Sequence, residues 1–352
     1  MNMKKGWYKG ALLACFVTPW CQAMMVDDLY EATRVSEASS AEQRDIEAME
    51  GLKQVFLKVT GNASIFNRPA IQKALADPKR YVLQYASSGG QIHFKYNAQE
   101  IDYLLKSEGI KIWGQQRPLI VLWVAAQTPA GRVLLGSETD QALSEALNKM
   151  GKEKGVPLLL PILDLEDVTA VTTTDIWGGF SESVKKASER YSSDTILMGH
   201  IQMINDTPAE WAGEWQLISG DATWQWTAKG QNIHEVIEKS VVMSLPYLAD
   251  RYGIEENQTS KPITLRIEGI QSLQDYAAAE AYLRELSVVK QVEPQQIGPA
   301  GAIFKVIPYG QKGLQALKNA IQLDPQLSKL ASLESGFADE SDTSDLRFRW
   351  VR

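Results

Sequence analysis

The chain has 352 residues, 44% of them hydrophobic and 22% charged, with a formal net charge of −7. That is ordinary globular composition, enough for two or three domains, and it excludes low-complexity and fibrous classes. The acidic balance gives no electrostatic reason to seek nucleic acid or anionic lipid heads.

The first residues carry Lys4, Lys5 and Lys9, then the apolar stretch Ala11 to Val17, Pro19, and Cys21-Gln22-Ala23. A positive segment, a short apolar segment and a small-x-small site predict a secretory leader over 1–23, cut after Ala23. A bilayer span needs about 20 apolar residues, roughly twice this run. Leu12-Leu13-Ala14-Cys15 offers a lipoprotein alternative with Cys15 as the lipidated terminus, but Leu13 is bulky and the apolar run before it is short. Cleavage after Ala23 removes both cysteines and the three leader lysines, leaving a more acidic, thiol-free protein suited to an oxidising compartment. The expected address is the periplasm of a Gram-negative-type bacterium, with no transmembrane span in the mature chain.

Leu29 to Ala32 reads as a first strand. Ser40 with Gln43 opens a helix through Ile46, Met49, Leu52, Phe56 and Val59 that stops at Gly61-Asn62. A helix over 70–76, a hairpin of 81–87 with 91–96 around Gly89-Gly90, and a helix over 98–108 complete a small α/β domain, 24–116. Apolar runs at 119–125, 156–163 and 195–201 alternate with helices at 140–154 and 174–191, a βαβαβ pattern for a sheet covered on both faces. A hairpin, 215–219 with 222–227, and a helix over 233–252 close this α/β domain, 117–253. The polar stretch 254–262 reads as a linker. The rest, 263–352, has the order βαββαβ and is expected to be ferredoxin-like, an α+β arrangement. Glu334 to Asp345 holds five acids and no base and reads as a solvated loop, since it lacks the ligand spacing of a calcium loop.

The blocks VFLKVTGN from Val55, QRPLIVLWVA from Gln116, VPLLLPILDLED from Val156, DIWGGF from Asp175 and LRIEGIQSLQDYAAAEAYLREL from Leu265 resemble the bacterial domain of unknown function 2066 family. That resemblance implies an exported location and no activity. At fold level the segment from Thr195 to Tyr252 resembles the N-terminal domain of the translocation protein TolB and the CsgG-like domains. That likeness implies a scaffold binding other envelope proteins, though fold alone does not settle function.

His93, His200 and His234 are far apart and form no metal-ligand spacing, and nucleophile-elbow, phosphate-loop and dinucleotide motifs are absent. No metal or cofactor is expected, and no catalytic residue is assigned. Asp164, Glu166 and Asp167 follow an apolar strand, where carboxylates can hold a cation or do acid/base work in a hydrolase, or simply cap a helix. Trp177-Gly178-Gly179-Phe180 offers either a stacking platform and partner hot spot or a packed corner. Trp211, Trp215, Trp224 and Trp226 on one hairpin offer a glycan-binding surface for peptidoglycan or lipopolysaccharide, or burial under the following helix. The leading expectation is a non-catalytic accessory or scaffold protein with an envelope-protein partner. Glycan binding and an unrecognised hydrolase are the alternatives.

Overall fold

The computed structural model describes residues 24–35, 40–193, 195–254, 260–286, 288–298, 301–310, 313–322, 326–329 and 344–351. The expected leader with Ala23 and Cys15, most of the linker and nearly all of the acidic loop lie outside the described residues. The chain is a mixed α and β protein with three multi-stranded sheets and one two-residue strand pair.

The first unit comprises β1 (Met24–Met25), β2 (Glu31–Val35), α1 (Ala41–Thr60), α2 (Pro69–Ala76), β3 (Val82–Ser88), β4 (Gln91–Tyr96) and α3 (Ala98–Ser107). The first strand begins two residues later than expected, because 27–30 form a turn that sends Leu29 into the core. Ser40 caps α1 by accepting from the Gln43 N–H, and Gly61 ends it in the left-handed region at φ 61°. Leu52, Val55, Phe56 and Val59 of α1 pack on Ile92, Phe94 and Tyr96 of β4, in a sheet of order β2-β4-β3.

A buried joint follows. β5 (Gln116–Arg117) pairs with β1, and Arg117 is fully buried. Its guanidinium donates to the carbonyls of Gly114 (2.6 Å), Trp113 (2.7 Å) and Lys58 (2.8 Å) and lies over the Trp113 ring. Burial pushes its pKa down to about 9.

The middle unit contains β6 (Ile120–Thr128), β7 (Gly131–Leu135), α4 (Gln141–Lys154), β8 (Leu158–Leu159), α5 (Leu165–Ala170), α6 (Thr173–Gly178), α7 (Ser181–Ser188), β9 (Thr195–Asp206), β10 (Ala209–Ser219), β11 (Ala222–Gly230) and α8 (Ile233–Tyr252). The sheet order is β11-β10-β9-β6-β7, with β8 on the same side of β6 as β7; β6, β8 and β9 are parallel. Ile120, Leu122 and Val124 face α4 and α8, while Val121, Trp123 and Ala125 face α6 and α7. Burial on both faces explains the unbroken apolar run.

Two expectations fail here for visible reasons. The strand expected over 156–163 shrinks to two paired residues, because Pro157 and Pro161 carry no N–H for the ladder and Leu163 adopts φ 63°. The helix expected over 174–191 breaks into α6 and α7, because Gly179 turns left-handed at φ 69°.

The last unit comprises β12 (Ile263–Glu268), α9 (Leu273–Glu285), β13 (Val289–Gly298), β14 (Gly301–Pro308), α10 (Gly313–Gln322), β15 (Leu327–Lys329) and β16 (Leu346–Trp350). Its sheet order is β13-β14-β12-β16-β15, with β12 parallel to β16. Both helices bury against one face, Ala279 and Leu283 of α9 and Leu317 and Ile321 of α10 sharing a core with Leu265, Phe304 and Phe348. Of the acidic loop, Asp345 is described: its carboxylate accepts from the Thr264 N–H at 2.7 Å.

Candidate functional site

The acidic cluster converges, but on its own chain. Asp164 caps α5, accepting from the Asp167 N–H at 3.1 Å. Arg190 donates to both Asp164 oxygens at 2.7 and 2.8 Å and to Asp167 at 3.0 Å, with Glu166 at 3.7 Å. Asp167 is fully buried and also accepts from the Leu163 N–H (2.9 Å) and the Tyr191 hydroxyl. The Arg190 hydrogen bonds, then the Asp167 N–H, hold Asp164 well below the usual carboxylate range. Burial, then the bond to Asp167, pushes the Tyr191 hydroxyl up. These groups form a clamp that closes the turn around Leu163, leaving Asp164 and Asp167 committed to Arg190.

The Trp177 corner is different. Thr172 and Asp175 form a reciprocal capping box that starts α6, and the Phe180 N–H bonds the Asp175 carbonyl at 2.9 Å past Gly179. α6 thus stops short of the far end of the sheet. Trp177 stacks on His200 of β9 at 4.5 Å between ring centroids, and the Arg132 guanidinium of β7 lies 4.1 Å from the Trp177 ring. Beyond them the sheet carries mostly polar side chains in register, the apolar Met198 with Gln216 and Gln225 in one row and His200, Glu214 and Thr227 in the next. Together with Trp177, Gly178 and Gly179 they line a groove of 370 Å³. His200 sits 4.0 Å from Glu214, and burial lowers its pKa, more than Glu214 raises it.

This groove lies on one face of the sheet, over the middle of β9, β10 and β11. It offers a mixed set of hydrogen-bond donors and acceptors around a stacked aromatic. Phe180, two residues after Gly178, is 57% exposed and does not line the groove. Arg132, His200, Glu214, Gln216 and Gln225 were not singled out as site residues in the sequence. They belong to four strands, and only the register brings them together.

The hairpin tryptophans lie on the opposite face. Trp215 is 2% exposed in the core beneath α8, and Trp211, Trp224 and Trp226 pack against the same core. Tyr247 of α8 lies 5.3 Å from Trp224 and 5.8 Å from Trp226. Their indole faces are spent on α8 rather than offered together to a sugar. His93 pairs with Thr33 at 2.9 Å in the first unit, far along the chain from His200. Among the described residues no three His, Cys, Asp or Glu side chains are grouped to hold a metal ion, and no helix is long and apolar enough to cross a membrane.

Residues 23–114, which span the first unit, match a family described as a domain of unknown function, DUF8605. No curated protein and no solved structure matches the chain. The match corrects the resemblance to domain of unknown function 2066: the VFLKVTGN block falls inside a different family, and nothing found supports a TolB-like or CsgG-like middle unit.

Proposed function

We infer that the chain is an exported, non-catalytic accessory or scaffold protein of the bacterial envelope, which holds another envelope protein in the groove beside Trp177 and His200. The observation that carries this reading is the contrast between the two polar clusters of the middle unit. The Asp164 and Asp167 carboxylates that a hydrolase would need are hydrogen-bonded to Arg190, while Gln216, Gln225, Thr227 and His200 line an open groove. Export is supported by the basic and apolar pattern of residues 4–23, and by a family match that starts at residue 23. For the last unit a ferredoxin-like reading is supported by β12, β13 and β14 and by both helices on one face, and it departs from that pattern at β16, which runs parallel to β12 with β15 beyond it.

Chemical crosslinking of the native periplasm, followed by pull-down, tests this directly. The expected result is a reproducible adduct with one envelope protein, lost in Gln216→Arg, which fills the groove with a long cation. Recovery of the uncrosslinked chain alone, or an adduct indifferent to Gln216→Arg, would count against it.

A further inference from the structure

β11 is the end strand of the middle sheet, and among the described residues no strand pairs with its outer edge. The two-residue turn Gly220-Asp221 closes the β10–β11 hairpin on the pair Ser219–Ala222. In such a hairpin the even-numbered residues of β11 bond β10, and Thr223, Gln225, Thr227 and Lys229 turn their N–H and C=O groups outward. The Lys229 carbonyl confirms that direction, because Lys239 of α8 reaches around to donate to it at 2.9 Å. Thr223, Gln225 and Thr227 are exposed. Proteins usually guard such an edge with charge, proline or a bulge, and β11 carries one charge, Lys229, near its far end.

We propose that this edge pairs with the same edge of a second copy, antiparallel about a two-fold axis through Gln225. The sequence of the hairpin is complementary to itself in that register. Thr223 meets Thr227 of the second copy, Ala222 meets Ala228, and Trp224 meets Trp226, an aromatic cross-strand pair repeated on both sides of the axis. Lys229 meets Asp221 of the second copy, opposite charges at the two ends of the strand that would be shared with their partners within the chain, Glu210 for Lys229 and Arg251 for Asp221, each at 3.2 Å. Asp221 is 90% exposed at its side chain. A shift of the axis by one residue, to Trp224 or Trp226, keeps one of the two tryptophan pairs and loses the pairing of lysine with aspartate.

α8 supplies a second strip along the same edge. Lys239, Met243 and Tyr247 recur every four residues, Tyr247 packs on Trp224 and Trp226, and Met243 and Tyr247 remain 40% and 37% exposed. Pairing of β11 would cover that strip against its copy and join the two sheets into one. The polar grooves, which include Gln225 and Thr227, would then meet across the axis. This pairing does not depend on what the groove binds.

The test is mass by light scattering of the purified full chain over a concentration series, combined with amide hydrogen exchange. The expected result is a dimer in which the amides of Thr223, Gln225 and Thr227 gain protection as concentration rises. Gln225→Pro removes the central N–H at an edge position where proline is tolerated, and should leave a monomer with an unchanged circular dichroism spectrum. Lys229→Glu, which places like charges at both ends, should weaken dimerisation by about threefold to tenfold. A monomer up to about 0.1 mM overturns the proposal. So does a dimer in which those three amides exchange freely, or one that persists in folded Gln225→Pro.

Discussion

The middle unit presents two polar clusters on one sheet, and they differ in what their side chains are bound to. At the end of β8, Asp164 and Asp167 spend their oxygens on Arg190, Tyr191 and the backbone of 163 and 167. Midway along β9, His200, with Glu214, Gln216 and Gln225 of the neighbouring strands, shares a groove with Trp177. The denser charge is the closed cluster, and the sparser, mostly neutral set is the accessible one. Availability is therefore decided by the nearest cation and not by the count of acids.

The largest expected effect breaks the closed cluster. Asp167→Ala leaves the Leu163 N–H and Tyr191 hydroxyl without their acceptor and Arg190 with one carboxylate fewer, and should cost about 3 kcal/mol in urea unfolding. Trp177→Ala removes the stack on His200 and the Arg132 contact, and should cost about 1–3 kcal/mol while widening the groove. Comparing the two by denaturation separates a stability centre from a binding wall.

Acid sharpens the same contrast. The folded pKa of Asp164 is depressed, so its contribution is present above the unfolded value and is lost as pH falls through the range below it. Stability of the native chain should therefore drop more steeply than that of Asp164→Asn between about pH 4 and pH 2. The smallest effect belongs to His200. Its neutral form is favoured in the fold, so stability falls slightly as pH drops below about 6.5, where the unfolded chain takes up the proton first. In NMR titration His200 should protonate below that value, and His200→Gln should remove that slight loss.

Helix positions were legible where caps and periodicity agreed. The range 233–252 is met residue for residue by α8, and α1 stops at the glycine that marks its end. Strand pairing was less so. The run from Val156 to Leu163 is apolar enough for a buried strand, yet two prolines limit the ladder to Leu158–Leu159. β7, with its exposed Arg132 and Val133, has an apolar run of only three residues, Val133 to Leu135, to announce it, and it delivers Arg132 to Trp177.

The site was half legible. Trp177 and its glycines mark a corner in the sequence, but whether the corner lines a groove depends on strands that arrive later. His200, Glu214 and Thr227 are separated by many residues and meet only because β9, β10 and β11 pair in one register. The acidic run was plain in the sequence, and its partner Arg190, 23 to 26 residues further on, was not.

Site-specific photo-crosslinking in cells tests the central claim most directly, with the reactive side chain placed at Gln216 in the groove or at Glu166 beside the clamp. The account predicts a reproducible adduct with another envelope protein from position 216 and none from position 166. Adducts from 166 alone, or none from 216 in a folded and exported protein, would contradict it.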